Sequence, residues 1–357
     1  MFQTSNENLG RNVSRETQLL CSLLGRGTPS VDIDLGDINW NKLLQLASNN
    51  RVLYVIAREL LKDNFVQGNS RILANLTRIV TESEERLDHL KQTLEFTERT
   101  LGNASVPYIV AKTDRGLPYV TFDIDVLVKP EDLERSFEVF EAQGAGLVPT
   151  YEKNETDVIL PDLLRVDLHS GFFCHRQPYA AAEPMWDGVR KIAVQGVTVN
   201  LPNIDSELAL MIGHTIHERL NVPLLEFLFL KDNIGCANWS RVEEEADRHG
   251  WLGSLRVFEG IAAWIDQTLF PESQNPLFPD RRRKGLQRAM SRTLSMPYMF
   301  TIPAGLRVLV DRAYGPRRLD TYDIGHFVWT SHRYWLTQGK RVPIYYHWFP
   351  FNDLTWP

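Results

Sequence analysis

Two aspartates stand two residues apart in a run that otherwise belongs inside a protein, Phe122-Asp123-Ile124-Asp125-Val126-Leu127-Val128. The β-branched and apolar neighbours mark a strand. A strand alternates its faces, so Asp123 and Asp125 point one way while Ile124 and Val126 point the other. Two like charges side by side on an apolar strand repel each other and resist desolvation. A divalent cation is the commonest remedy. Mg²⁺, or Mn²⁺ in its place, takes one or two carboxylates and completes its shell with phosphate oxygens and water. The plainer reading is a solvated edge strand, because so short a motif recurs by chance. A third carboxylate lies in Leu163-Leu164-Arg165-Val166-Asp167-Leu168-His169, where Asp167 shares a strand face with Arg165 and His169. If the two strands are neighbours, Asp123, Asp125 and Asp167 form one cluster. Two of them hold metal, and the third holds metal or takes a proton from an attacking hydroxyl.

The elements that must position these residues follow from periodicity. Residues 1–14 are mostly polar and read as a disordered tail; residues 15–103 read as a helical region. Leu19, Leu20, Leu23 and Leu24 recur in helical period. So do Leu43, Leu44, Leu46 and Ala47 after Asn39-Trp40, and so do the apolar residues of 52–61 and 72–101. Residues 104–203 switch to short β-like runs near 106–111, 121–128, 147–152, 156–160, 164–170, 191–195 and 197–200. One helix spans about 130–143 and stops at Gln143-Gly144. Gln195-Gly196 reads as a tight hairpin turn. Residues 204–270 return to helices, starting at Asp205-Ser206-Glu207. The fold class expected is α+β: a small mixed sheet flanked by N-terminal and C-terminal helical regions. Residues 271–357 form a basic and aromatic-rich extension.

Composition bounds the function classes. A net charge of −6 over 357 residues gives no global push toward nucleic acid or anionic membrane. Cys21, Cys174 and Cys236 lie far apart, which argues against a disulfide framework or zinc site and fits a reducing cytoplasm. No apolar run approaches the roughly 20 residues that a membrane span needs. Within the acidic chain, Arg281-Arg282-Arg283-Lys284 with Arg288 and Arg292 is a local basic run. It is a solvated face or a polyanion contact. Trp329, Trp335, Tyr345, Tyr346, Trp348, Phe349 and Phe351 make the tail a docking segment for the body or for a partner. His214, His217 and Glu218 share a helix face, and structural or substrate-positioning roles outweigh a zinc site there. Arg176, after Phe172-Phe173, is a phosphate contact or a surface arginine.

The order of motifs resembles the nucleotidyltransferase superfamily of DNA polymerase beta, in a bacterial and archaeal branch. The resemblance runs over about residues 15–270. It rests on Trp40-Asn41-Lys42-Leu43-Leu44-Gln45-Leu46-Ala47, on Lys112 before the metal strand, on Asp123 to Val128, on Val166-Asp167-Leu168-His169, and on the helical segment from His214 to Asp232. Such a family implies metal-dependent transfer of NMP from a nucleoside triphosphate such as ATP to an acceptor hydroxyl, with release of pyrophosphate. Asp123, Asp125 and Asp167 are then catalytic and metal-binding, and Lys112, Thr113, Arg176 and Lys231 are nucleotide contacts. The acceptor remains open between a small molecule, a protein side chain and a tRNA end. One departure is visible. Relatives carry a Gly-Gly or Gly-Ser pair about ten residues before the first metal aspartate, whereas this chain reads Ala111-Lys112-Thr113, with Gly116 later. That departure keeps a catalytically inactive binding module on the same fold as one alternative. A sugar-nucleotide glycosyltransferase using the D-x-D is another, and it requires a larger nucleotide-binding sheet before the motif.

Overall fold

The computed structural model describes residues 13–25, 38–62, 66, 69–150, 155–174, 177–219, 221–271, 273, 275–278, 294, 296–299 and 311. Arg176, the basic run Arg281–Lys284 and the aromatic tail lie outside the described residues.

Four helices open the chain: Arg15–Leu23 (α1), Trp40–Asn49 (α2), Leu53–Lys62 (α3) and Ser70–Asn103 (α4). Each apolar period seen in the sequence becomes a buried stripe. The Asn39 side chain accepts the Lys42 N–H at 3.0 Å and so caps α2. Asn39→Ala leaves that donor without its protein partner. It should lower stability by about 1 kcal/mol, read from the midpoint of a urea titration. Helix α4 has 34 residues and is therefore about 50 Å long. Its first half adds Leu76 and Ile79 to the N-terminal helices, while Leu87, Leu90, Leu94 and Leu101 pack under the sheet.

The sheet has five strands: Tyr108–Ala111 (β1), Asp123–Val128 (β2), Gly146–Pro149 (β3), Glu155–Ile159 (β4) and Arg165–His169 (β5). Their order is β1-β2-β5-β4-β3, and β2 with β5 is the parallel pair. A parallel pair needs a crossover. The chain supplies one through the helix Leu133–Ala142 (α5) and the β3–β4 hairpin. Alternation then sorts the two faces. Ile124, Val126 and Val128 of β2 and Val166 and Leu168 of β5 are buried with Leu90, Leu94 and Phe140. Asp123, Asp125, Asp157 and Asp167 fall on the opposite face.

Two hairpins extend this core. Phe172–Cys174 (β6) pairs with Gln177–Ala180 (β7), and Arg190–Val194 (β8) with Val197–Leu201 (β9). The β8–β9 turn holds Gln195 and Gly196 at φ of 49° and 82°, the left-handed pair of a type I′ turn. Strand β7 is absent from the sequence reading because Pro178 disguises it. The remaining elements are Ile204–His214 (α6), a π-helical turn Thr215–Arg219, Asn221–Val222 (β10), Leu224–Asn233 (α7), Trp239–Arg248 (α8), Leu252–Leu269 (α9) and Tyr298–Met299 (β11). Leucines of α6, α7 and α9 share one hydrophobic cluster with α1 to α3. The N-terminal and C-terminal helical regions thus meet around the sheet, and the class is α+β as expected. The opposite sheet face, at Ile109 and Leu127, is closed by Phe172, Tyr179 and Leu210.

Candidate active site

Backbone register builds the site. Parallel pairing sets Asp125 opposite Asp167, Asp123 opposite Arg165, and Leu127 opposite His169. Antiparallel pairing on the other side of β5 sets Asp157 opposite Asp167 and Glu155 opposite His169. The three aspartates singled out in the sequence therefore stand together, and two further carboxylates join them. Glu155 and Asp157 had escaped the sequence reading. Their signal was there, a second pair of acids two apart on an expected strand, but without an apolar frame it reads as a solvated edge.

Two permanent cations answer these carboxylates. Lys112 Nζ lies 2.6 Å from Asp125 Oδ1. The Arg165 guanidinium spans three acids: Asp123 Oδ2 at 3.1 Å, Asp157 Oδ2 at 3.1 Å and Asp167 Oδ2 at 3.0 Å. Asp123 is about a third exposed and also accepts from the Thr121 hydroxyl at 3.2 Å. His169 Nε2 lies 3.0 Å from Asp125 Oδ1, and its Nδ1 faces Glu155 Oε2 at 3.7 Å.

These contacts set the protonation. Burial alone would raise Asp125, but Lys112 and His169 beside it hold the carboxyl well below its ordinary range. Burial also opposes the charge on Lys112, yet Asp125, Glu218 and Asp123 keep the ammonium firmly protonated. Asp167 goes the other way. Burial and the neighbouring Asp123 and Asp125 charges push it up to about 8, against the pull of Arg165.

Lys112 is held by its backbone. It sits at φ 57°, in the left-handed region that disfavours a side chain. The Tyr119 hydroxyl donates to its carbonyl, and its N–H donates to Glu207 Oε1 at 3.2 Å. Glu207 is in turn locked to Arg115 by a buried ion pair. Thr113 is buried, with its hydroxyl donating to the Ala111 carbonyl at 2.9 Å. Lys231, on α7, reaches Asp266 Oδ1 at 2.5 Å and Ser273 Oγ at 3.0 Å, both away from the sheet. On the C-terminal side, Glu218 pairs with His214 at 2.8 Å. Burial opposes its charge, yet His214, Lys112 and a Tyr179 hydrogen bond bring its carboxyl down to about 2. The helix face noted in the sequence thus lies within the field of Lys112.

The residues present fit a divalent cation. Asp157 Oδ1 is buried and takes no hydrogen bond, and Asp167 Oδ1 is buried with the Arg165 Nε cation 2.6 Å away, so both oxygens face the cluster rather than solvent. Ligand atoms of Asp125, Asp167 and His169 lie within 4.8 Å of one another. Five acids facing Lys112 and Arg165 leave an excess of negative charge, and Arg165 partly fills the place a metal would take.

The sheet contributes one strand, β1, before Asp123 among the described residues, so the larger sheet a glycosyltransferase requires ahead of its motif is not built there. No helix among the described residues is long and apolar enough to cross a membrane. No curated protein matches the sequence. Among solved structures, the antibiotic-resistance factor ANT(2'')-Ia is similar at 12% identity and a TM-score of 0.34, over 44% of this chain and 89% of that one. The family described as uncharacterised nucleotidyltransferase matches residues 36–265, a span that holds the sheet, Lys112 and all five clustered acids, and the chain belongs to that family.

Proposed function

We propose that the protein transfers NMP from a nucleoside triphosphate, with ATP the first to try, to an acceptor hydroxyl and releases pyrophosphate in the cytoplasm. The observation that carries this reading is the register of Asp125 against Asp167, with Lys112 on the same carboxylate. Asp123 and Asp125 would hold Mg²⁺ or Mn²⁺, with Asp167 completing that site or serving as the base, and the ion would supply neutralisation of the charge that develops on phosphoryl oxygens, an effect worth several kcal/mol. Everything else falls to side chains. Lys112, kept charged in a buried position, orients a phosphate. Thr113, next in sequence, would offer a further phosphate contact, and Arg176, well along the chain, another. The acceptor oxygen forms its bond to the α-phosphorus as the bond to the β-phosphate oxygen breaks, and the hydroxyl proton passes to Asp167 where Asp167 is the base rather than a metal ligand.

The test is a panel of the four nucleoside triphosphates with Mg²⁺ or Mn²⁺ and a cell extract, read by mass spectrometry for the gain of one NMP and by assay for pyrophosphate. Neither product with any nucleotide would remove the proposal. Lys112→Met separates the phosphate contact from the metal. A charged hydrogen bond is worth about 1.5–3 kcal/mol, so KM for the nucleotide should rise roughly tenfold to a hundredfold. An unchanged KM in steady-state kinetics would take Lys112 off the phosphate.

A further inference from the structure

We infer that His169 is a direct metal ligand and that the site therefore prefers a first-row transition ion such as Mn²⁺ over Mg²⁺. This deepens the nucleotidyl-transfer reading and rests on it for the presence of a metal. His169 is buried and lies on the metal face of β5, two residues after Asp167. Its Nε2 is 3.0 Å from Asp125 Oδ1. Two adjacent ligands, each about 2.1 Å from one ion, stand about 3.0 Å apart at a right angle, so the pair already has the spacing of neighbouring coordination positions. The other ring nitrogen is turned toward a carboxylate. Metal-ligating histidines usually turn their second nitrogen to a carboxylate, which fixes the tautomer and raises ligand basicity. His169 Nδ1 faces the Glu155 carboxylate, with Oε2 3.7 Å away, longer than a direct hydrogen bond.

The ring is also fixed from the side, with the Phe172 ring centroid 4.9 Å away. Asp167, 7% exposed, supplies the third donor of the same group, and Arg165 Nε, now 2.6 Å from its Oδ1, gives way to the ion there. Two carboxylates and an imidazole are a mixed oxygen and nitrogen set. Mg²⁺ is a hard ion that takes oxygen and water, whereas imidazole suits transition ions. The bland alternative is a plain His–Asp hydrogen bond with all metal ligands oxygen.

The experiment uses the full chain, stripped of metal and loaded with MnCl₂ alone, and pulsed electron paramagnetic resonance. The expected result is a ¹⁴N coupling to Mn²⁺ that converts to the ¹⁵N pattern when histidine is isotopically labelled. In His169→Gln the coupling disappears and Mn²⁺ binds on the order of tenfold more weakly by calorimetry, while Mg²⁺ binding changes much less. Bound Mn²⁺ with no nitrogen coupling overturns the inference, as does a coupling that survives in His169→Gln. The isotope comparison needs no substitution, so it decides against a nitrogen ligand even where His169→Gln does not fold. Failure of the nucleotidyl-transfer reading looks different: the nitrogen signal stands, yet no nucleotide turns over with any ion.

Discussion

Asp125→Asn should cut nucleotidyl transfer by about a thousandfold and leave the protein folded. Asp125 is the acid on which the site converges. Lys112 and His169 both touch its Oδ1, and the register holds it against Asp167. An amide in its place withdraws the charge that binds a cation and frees Lys112 from its anchored position. Several kcal/mol of transition-state stabilisation is at stake, and about 4 kcal/mol corresponds to about a thousandfold in rate. Stability should fall by about 1–3 kcal/mol, because the surroundings on balance favour the Asp125 charge, though two effects oppose. Lys112 loses its nearest counter-charge, but the crowd of carboxylates loses one member, and Asp123 and Glu218 still act on the ammonium. Single-turnover kinetics with labelled nucleotide and a thermal melt check both halves. Transfer within tenfold of wild type would strip Asp125 of a catalytic role. Asp123→Asn should be the milder variant, since Asp123 is more exposed and is shared between Arg165 and Thr121.

What the sequence made legible, and what it hid, divides along local and non-local lines. Alternation on β2 and β5 told which residues share a face, because strand period is a local property. That the two strands are neighbours, and that Asp125 meets Asp167 rather than Arg165, is set by a crossover through α5 and two further strands. No local pattern encodes that. Arg165 was placed on the acidic face from its spacing, but its reach to Asp157 depends on β4 arriving on the far side of β5. The missing glycine pair has a similar explanation. Lys112 adopts the left-handed backbone that glycine supplies cheaply, and the Tyr119 hydroxyl and the Glu207 carboxylate hold it there from distant positions. The shared cluster of N-terminal and C-terminal helices was hidden for the same reason: periodicity gives a buried stripe, not its partner.

Glu207 ties that distant helix to the site, and Glu207→Gln is expected to cost about 3 kcal/mol of stability. Glu207 and Arg115 are each 2% exposed, and each is the other's main counter-charge; Arg115 also has Glu226, the Asp114 carbonyl and the Phe229 ring, and Glu207 the Lys112 N–H. Breaking a buried pair from one side leaves an uncompensated charge, at about 3–5 kcal/mol; the remaining Glu226 carboxylate places this case at the low end. Glutamine keeps an oxygen for the Lys112 N–H, so the loss isolates charge from shape. It also puts an amide N–H₂ where Oε2 now sits buried without a hydrogen bond. The double variant Arg115→Met, Glu207→Leu removes both charges and should lose less than Glu207→Gln alone, since apolar replacement of a buried pair is often close to neutral. Urea titrations of the three proteins make the comparison. A Glu207→Gln loss under about 1 kcal/mol would mean that the pair is not buried in solution. Because Glu207 also receives the Lys112 N–H, and glutamine keeps that acceptor while leucine does not, Glu207→Gln should leave KM for the nucleotide nearly unchanged while the double variant raises it. That ordering, opposite to the ordering in stability, distinguishes an anchor of the phosphate turn from a helix that is merely well packed.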